Sequence, residues 1–183
     1  MDAGRGYGGW RGTGWKEGSG MSYRFRPLRW RDVRAAAHWR YEGQYAFYDL
    51  PGGVLAMTYL TQQVLRLFGV IVYYSVLDED GRLVGMFSFV RRDLEVEIGL
   101  AMRPDLTGQG RGLEFVRAGL DFARKRLGAD AYRLNVARFN QRAIRVYERA
   151  GFRTVRTFTH TAQGKPYEFL EMALRAREVY EGN

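Results

Sequence analysis

Three glycines at alternate positions, Gly108, Gly110 and Gly112, separate an apolar strand-like run from a helix-like run. Glycine occurs where a backbone takes a positive φ angle, or where another molecule approaches the main chain closely. A strand that passes through such a loop into a helix also presents unpaired N–H groups at the positive end of the helix dipole, where phosphate binds. By itself, the loop fits either a phosphate site or a plain tight connection.

Strand-like and helix-like patterns alternate from residue 23 onward. The apolar patterns predict a strand at 23–28, three strands within 70–102, and further strands at 132–138, 152–160 and 165–174. Apolar residues at three-to-four spacing predict helices at 29–41, 52–69, 112–128 and 140–151. This order predicts an α/β protein of the α+β type, with a mixed, mostly antiparallel sheet and helices on both faces.

Local signals mark the ends of several of these elements. Asp80-Gly81 predicts the turn between the first two strands of the 70–102 segment. Gly128 and Gly151 predict the ends of two helices, and Asn140 predicts a helix N-cap.

The length and composition indicate one domain. With 183 residues and 46% hydrophobic composition, the chain can bury a single sizeable core, which we place at 21–183. Residues 1–20 contain eight glycines and almost no aliphatic side chains, so we expect a flexible leader there. No stretch has the length and apolarity of a membrane span or a secretory signal, so we expect a cytoplasmic protein. The sequence has no cysteine, which excludes disulfides, thiolate metal sites and a cysteine nucleophile.

The formal net charge of +9 predicts attraction to anionic partners. Arginine and lysine are scattered along the chain rather than massed in one tract, which favours solvated basic faces over a nucleic-acid footprint. Nucleic-acid binding therefore stays a minor alternative. The two histidines, His38 and His160, are far apart and show no metal-ligand spacing, so we assign no metal.

Two segments, 100–115 ("LAMRPDLTGQGRGLEF") and 140–152 ("NQRAIRVYERAGF"), together resemble the GCN5-related N-acetyltransferase (GNAT) superfamily. The resemblance extends over residues 23–174. The family's first motif follows a strand that ends in a bulge, and it begins with Arg or Gln where this chain has Thr107. Its second motif is matched at Asn140, Ala143, Tyr147, Gly151 and Phe152.

The resemblance implies a GNAT fold that binds acetyl-CoA. It implies that backbone N–H groups of the glycine loop hold the pyrophosphate, that the end of the preceding strand pairs with the pantetheine arm, and that the Met102 N–H polarises the thioester carbonyl. Asn140 would bind the pantetheine arm, cap its helix, or do both. The implied acetyl-CoA-binding residues are Leu100, Ala101, Met102, Thr107, Gly108, Gln109, Gly110, Arg111, Gly112, Asn140 and Tyr147.

The same resemblance implies two catalytic residues. Tyr147 would protonate the departing CoA thiolate, whereas an isolated tyrosine at this position would be core packing. Glu97, with Glu95 as the alternative, would remove a proton from the attacking amine. The two carboxylates alternate along one strand and so face the same way, and a surface ion pair with an arginine explains them equally well.

An aromatic segment between the first two predicted helices completes the predicted site. Family members place acceptor-binding loops there, and Tyr41, Glu42, Tyr45 and Tyr48 would line an amine pocket or cover the edge of the sheet. The implied function is transfer of acetyl to a primary amine by direct attack in a ternary complex. The acceptor is a small amine, or a protein N-terminus or lysine, and the oligomeric state stays open, a homodimer included. The alternative is a non-catalytic module that senses acyl-CoA or binds nucleic acid.

Overall fold

The computed structural model describes residues 22–49, 57, 59–60, 71–92, 95–129, 131–162 and 164–175. The predicted leader at 1–20 lies outside the described residues. Most of the helix predicted at 52–69 also lies outside them, although Met57, Tyr59 and Leu60 are helical. None of the helices in the described part is long and apolar enough to cross a membrane.

Within the described residues, the centre of the molecule is a seven-stranded sheet with the order β1-β2-β3-β4-β5-β7-β6. The strands are β1 (Arg24–Pro27), β2 (Ile71–Leu77), β3 (Leu83–Arg92), β4 (Glu95–Met102), β5 (Ala131–Ala137), β6 (Arg153–Ala162) and β7 (Lys165–Arg175). All neighbouring strands are antiparallel except β4 and β5, which are parallel. The predicted mixed, mostly antiparallel sheet is therefore confirmed.

Helices cover both faces of this sheet, as predicted. They are α1 (Trp30–Ala36), α2 (Gly112–Leu127) and α3 (Gln141–Arg149), with two short 3-10 helices at Gly43–Tyr48 and Pro104–Leu106. Helix α2 ends where predicted, at Gly128, whose φ of 62° places it in the left-handed region that glycine adopts without strain.

Helices α2 and α3 pack on one face and bury the main core against β3, β4 and β5. The contact between α2 and β3 is close, because a Cβ added at Gly119 would lie 2.3 Å from a ring carbon of Phe87. Helix α1 lies on the opposite face, where Val33 and Ala36 pack in a smaller cluster with Met86 of β3.

A buried ion pair attaches α1 to the sheet. Asp32, only 4% exposed, accepts hydrogen bonds from two guanidinium nitrogens of Arg26 at 2.6 and 2.8 Å. The Ser75 hydroxyl donates to the same carboxylate at 2.7 Å, and the Arg29 N–H donates at 3.1 Å. The start of α1 is therefore held to both β1 and β2.

Strand β4 differs from its expected form in one respect. The family resemblance implies a bulge at the end of this strand, but its pairing with β3 runs in constant register from Arg92↔Glu95 to Gly85↔Met102. A bulge places an extra residue in one strand and shifts the register, so that expectation is wrong for the paired residues of β4.

Candidate active site

Strands β4 and β5 diverge shortly after they meet. Residues Glu95–Glu97 of β4 pair with Ala131–Arg133 of β5. Beyond them β4 stays paired with β3, and β5 stays paired with β7, so a wedge-shaped gap opens between β4 and β5. The glycine loop follows β4 and α3 follows β5, so both motif segments lie at the open end of this gap. In sheets with parallel strands, ligands bind where neighbouring strands separate.

The end of β4 presents backbone groups to the gap. The Arg103 N–H donates to the Val84 carbonyl on β3 at 2.9 Å. Because successive residues of a strand direct their N–H and C=O groups to opposite edges, those of Met102 and Leu100 point toward the gap. A hydrogen bond supports this direction, because the Tyr41 hydroxyl donates to the Met102 carbonyl at 2.8 Å.

The glycine loop lies at the N-terminus of α2 and has open space beside Gly110. Gly108 and Gly110 have φ angles of 77° and 79°, which side-chain-bearing residues rarely adopt. Nothing lies within 4 Å of a Cβ added at Gly110, whereas one at Gly112 would lie 3.0 Å from Val146 of α3. Within the described part of the chain, the N–H groups of residues 108–111 donate no hydrogen bond. Gly112 thus serves helix packing, and the loop before it offers free donors to an anion.

Two polar side chains of the loop form hydrogen bonds to backbone carbonyls just before it. The Thr107 hydroxyl donates to the Pro104 carbonyl at 2.8 Å, and the Gln109 side-chain amide donates to the Asp105 carbonyl at 2.6 Å. Arg111 occupies the N-cap position of α2 and is partly exposed. The loop therefore presents its backbone N–H groups and the partly exposed Arg111 side chain.

Asn140 is the N-cap of α3, because its side-chain oxygen accepts from the Ala143 N–H at 3.2 Å. Its side chain also forms a hydrogen bond with the Tyr48 hydroxyl. Burial raises the pKa of Tyr48, while the hydrogen bonds from Asn140 and from the Ala137 N–H oppose that rise. The structure thus shows the cap and adds a tyrosine partner, while the pantetheine contact stays a prediction.

Tyr147 lies inside the core. It is 8% exposed and its ring packs edge-on against Phe152, with ring centroids 6.0 Å apart. Burial raises the pKa of the Tyr147 phenol well above its ordinary value, and the nearby Tyr48 hydroxyl adds to the rise. The phenol is therefore protonated at neutral pH and lies near the Tyr48 hydroxyl.

A small recess with a volume of about 10 Å³ lies between α1, the 3-10 helix Gly43–Tyr48 and the sheet. Its lining residues are Ala36, Trp39, Tyr41, Tyr48, Met86 and Ala101. Two of the four predicted acceptor-pocket residues, Tyr41 and Tyr48, line it. Burial, with a smaller effect of Asp49, raises the pKa of Tyr41 to about 12, so its hydroxyl is also protonated.

The other two predicted pocket residues lie elsewhere. Glu42 is exposed at the N-cap of the 3-10 helix. The Tyr45 ring lies under the guanidinium of Arg142, whose central carbon is 3.8 Å from the ring centroid. The segment is therefore divided between the recess and the start of α3.

Both predicted carboxylates form ion pairs. Glu97 accepts from Arg92 at 2.9 Å, and Glu95 accepts from Arg133, which also donates to Glu171 at 2.6 Å. Glu97 lies where β4 still pairs with β5, on the face of β4 that carries the Ala101 side chain. At ~3.3 Å per residue it lies about 13 Å along the strand from Ala101. The roles of Glu97 and Glu95 stay predictions.

Sequence reasoning missed Trp39, Met86 and Arg142. Trp39 and Met86 join the recess through the packing of α1 on β3, which no local pattern signals. Arg142 carried a signal, because it stands between Asn140 and Ala143 of the second motif and so at the start of the helix beside the glycine loop.

Comparison with known proteins gives one family and a set of related structures. The model of the acetyltransferase (GNAT) domain family matches residues 23–153. A segment of 92 residues is 40% identical to mycothiol acetyltransferase of Propionibacterium freudenreichii subsp. shermanii. That segment is 50% of this chain and spans only 26% of the length of that relative.

Solved structures of the spermidine N-acetyltransferase from Vibrio cholerae share the fold. A chimeric form superposes with a TM-score of 0.74 at 17% identity, covering 86% of this chain and 97% of the other. The structure in complex with CoA and spermine gives 0.68 at 18% identity over 86% and 97% of the two chains. A dodecameric structure gives 0.69 at 17% identity over 88% and 98%.

Proposed function

Since the chain belongs to the GNAT acetyltransferase family, we propose that it is an N-acetyltransferase that moves acetyl from acetyl-CoA to the primary amine of a small molecule. The observation that carries the proposal is the gap between β4 and β5, with a glycine loop at its mouth and, along its side, the edge of β4 that has no partner strand beyond Glu97. One long ligand with a phosphate group and an amide-bearing arm fits this arrangement from end to end.

The glycine loop fits the pyrophosphate of acetyl-CoA. The N–H groups of residues 108–111 are free within the described part of the chain, and Gly110 has open space beside it. The N-terminus of α2 adds its partial positive charge. Acetyl-CoA, when bound, supplies an activated thioester, and the loop holds its charged end.

The edge of β4 fits the pantetheine arm. Leu100 and Met102 direct their backbone groups into the gap, as an added strand edge would require. We assign the Met102 N–H to the thioester carbonyl, where a fixed donor stabilises the negative charge that develops on oxygen during attack.

Tyr147 and its surroundings fit the leaving-group side. Its phenol is protonated at neutral pH, so it donates a hydrogen bond to the departing thiolate rather than accepting one. Tyr48 and Asn140 hold this side of the gap together, since their side chains are hydrogen-bonded. We assign proton removal from the amine to Glu97. Because Glu97 lies about 13 Å along β4 from Ala101 of the recess, at ~3.3 Å per residue, it would act through intervening water.

The acceptor in this proposal is a small amine. The names of two similar proteins, mycothiol acetyltransferase and spermidine N-acetyltransferase, point to small-molecule acceptors. A polyamine suits this chain less well, because the net charge is +9 and Glu95, Glu97 and Glu171 are each paired with an arginine. The protein N-terminus or lysine is the second candidate. We also propose a cytoplasmic location. The oligomeric state is left open, a homodimer included, and light scattering of the purified protein measures it.

The first test is cofactor binding. Acetyl-CoA raises the melting temperature of the native protein by mass action, and Gly110→Asp abolishes the rise by adding bulk and negative charge to the loop. The matched control is Gly164→Asp, because Gly164 has a similar φ of 73° and equally open space in the β6–β7 hairpin. The control keeps the acetyl-CoA shift. An unchanged shift in Gly110→Asp places the cofactor elsewhere.

The second test is transfer. Thiol release is measured with polyamines, aminoglycosides, amino acids and peptide N-termini, each in the presence of acetyl-CoA. The proposal expects release with a small amine that is not a polyamine. Binding of acetyl-CoA without release on any acceptor supports the non-catalytic alternative instead.

A further inference from the structure

Arg142 lies between the glycine loop and the 3-10 helix Gly43–Tyr48. Its Nη1 nitrogen is 3.9 Å from the point where a Cβ of residue 108 would stand. Its guanidinium also lies over the Tyr45 ring, 3.8 Å from the ring centroid. The side chain is exposed, and within the described residues no carboxylate lies within salt-bridge distance of it.

The first position of the glycine loop supplies no cation. Thr107 stands where the family has Arg or Gln, and its hydroxyl is bonded to Pro104 within the loop. Arg103, which precedes the loop, is held by Asp105 at 2.7 and 3.0 Å and by the Leu83 carbonyl. The loop itself carries Arg111 at the N-cap of α2. Arg142 brings a second guanidinium against the loop backbone from α3, and within the described residues no carboxylate lies close enough to neutralise it.

The Tyr45 ring fixes this guanidinium in place. A guanidinium stacked on an aromatic face is attracted by the negative face of the ring and keeps its planar edge free for hydrogen bonds. That edge is the group that binds a phosphate with two parallel bonds. Ordering the side chain in advance lowers the entropy lost when the ligand binds.

We propose that Arg142 binds the pyrophosphate of acetyl-CoA and replaces the side chain that Thr107 lacks, with Tyr45 as its positioning residue. The proposal rests on the proposed function, since it needs acetyl-CoA in the glycine loop. In this proposal Tyr45 belongs to the cofactor site rather than to the acceptor pocket. The segment predicted to bind the acceptor therefore also supports cofactor binding, through Tyr45.

The test measures the dissociation constant of CoA by calorimetry, and KM for two thioesters. Arg142→Gln weakens CoA binding and raises KM for acetyl-CoA about tenfold or more, as expected when a hydrogen bond from a charged group is lost. KM for acetyl-pantetheine, which has no pyrophosphate, stays within about twofold of wild type. Arg149→Gln, at the other end of α3, is the matched control and leaves all three values unchanged.

Two further measurements separate the parts of the proposal. Tyr45→Phe keeps the ring and keeps CoA affinity, whereas Tyr45→Leu removes the ring and weakens CoA binding, with acetyl-pantetheine again unaffected. Dephospho-CoA, which lacks the 3′-phosphate but keeps the pyrophosphate, shows the same loss in Arg142→Gln as CoA does. A loss that vanishes with dephospho-CoA overturns the proposal in favour of the 3′-phosphate.

Other outcomes overturn the proposal in distinguishable ways. If wild type binds CoA and Arg142→Gln binds it within twofold of wild type, Arg142 is not a pyrophosphate ligand and the proposed function stands. An equal rise in KM for acetyl-pantetheine shows a general disturbance of the site. If wild type itself binds no CoA, the proposed function fails and this inference fails with it.

Discussion

The Tyr48 hydroxyl accepts a hydrogen bond from the backbone N–H of Ala137, 3.3 Å away. This bond holds the 3-10 helix Gly43–Tyr48 to the edge of β5 that faces the gap. Tyr41 makes the corresponding bond on the other side, where its hydroxyl donates to the Met102 carbonyl of β4 at 2.8 Å. The two tyrosines therefore join one loop to both strands at the place where the strands separate.

The first prediction concerns Tyr48→Phe. The change keeps the ring and leaves the Ala137 N–H without its acceptor, so we expect the free energy of unfolding to fall by about 1–2 kcal/mol. Tyr41→Phe leaves the Met102 carbonyl without its donor. A carbonyl tolerates the loss of a partner better than an N–H does, so we expect a smaller fall in the free energy of unfolding for this variant. Urea unfolding of both variants gives the comparison. Equal costs, or a greater cost for Tyr41→Phe, contradict the prediction.

The second prediction concerns Tyr147→Phe. If the phenol stabilises the departing thiolate, kcat falls about 10²-fold, at the lower end for a positioned donor, with CoA affinity retained. The lower end is expected because burial raises the pKa of Tyr147, so full proton transfer to a thiolate of pKa ~8.5 is uphill. For the same reason, loss of the Tyr147 proton causes no decline in wild-type kcat between pH 7 and about 10.

A second buried tyrosine is the control for packing. The Tyr132 hydroxyl donates to the Ala129 carbonyl at 2.8 Å, away from the gap. Tyr132→Phe lowers stability and leaves kcat unchanged. If Tyr147→Phe also keeps kcat within about twofold while chemistry limits the rate, Tyr147 is a core residue and its catalytic assignment is wrong.

The sequence predicts well those features that depend on neighbours along the chain. The Asn140 cap, the left-handed Gly128 and the positive φ angles of Gly108 and Gly110 follow from backbone geometry that particular residue types favour. The order of strands and helices follows from apolar periodicity. These local signals do not by themselves place the glycine loop beside the second motif, because that depends on the parallel pairing of β4 with β5.

Contacts between distant segments are predicted less well. Tyr41, Glu42, Tyr45 and Tyr48 are close in sequence, but the 3-10 helix turns them toward different neighbours, and only the packed structure shows which. Tyr45 meets Arg142 because α3 starts beside the 3-10 helix, and Tyr48 meets Asn140 for the same reason. Alternation in a strand leaves two roles open for Glu97 and Glu95, an ion pair and a catalytic base, and does not choose between them.

The third prediction concerns the Asp32–Arg26 pair. Burial alone would raise the pKa of Asp32, but hydrogen bonds from Arg26, Ser75 and the Arg29 N–H outweigh it and hold the pKa below its ordinary value. Asp32→Asn leaves the mostly buried Arg26 guanidinium without a countercharge and costs about 3 kcal/mol at pH 7. The exposed pair gives the control, because Asp80→Asn, which removes the partner of Arg82, costs at most about 1 kcal/mol.

The pH dependence of that cost follows from the direction of the shift. A carboxyl whose pKa is lowered in the native state stabilises the fold above its unfolded pKa of ~3.9, and loses that contribution as pH falls through the native pKa. The difference in unfolding free energy between wild type and Asp32→Asn therefore shrinks from pH 5 to pH 3. A difference that stays constant over that interval contradicts the assignment to Asp32.

The last prediction separates the two roles open to Glu97. An ordinary alkylamine of pKa ~10.4 needs help to lose a proton at neutral pH, whereas an α-amino group of ~7.7–8.0 needs much less. If Glu97 is the base, Glu97→Gln lowers kcat strongly on the first kind of acceptor and weakly on the second. Arg92, 69% exposed against 34% for Glu97, is the partner whose removal frees the carboxylate. Arg92→Gln therefore keeps or raises kcat if Glu97 is the base. If the ion pair is merely structural, both variants lose the same small amount on every acceptor, and Glu97 has no catalytic role.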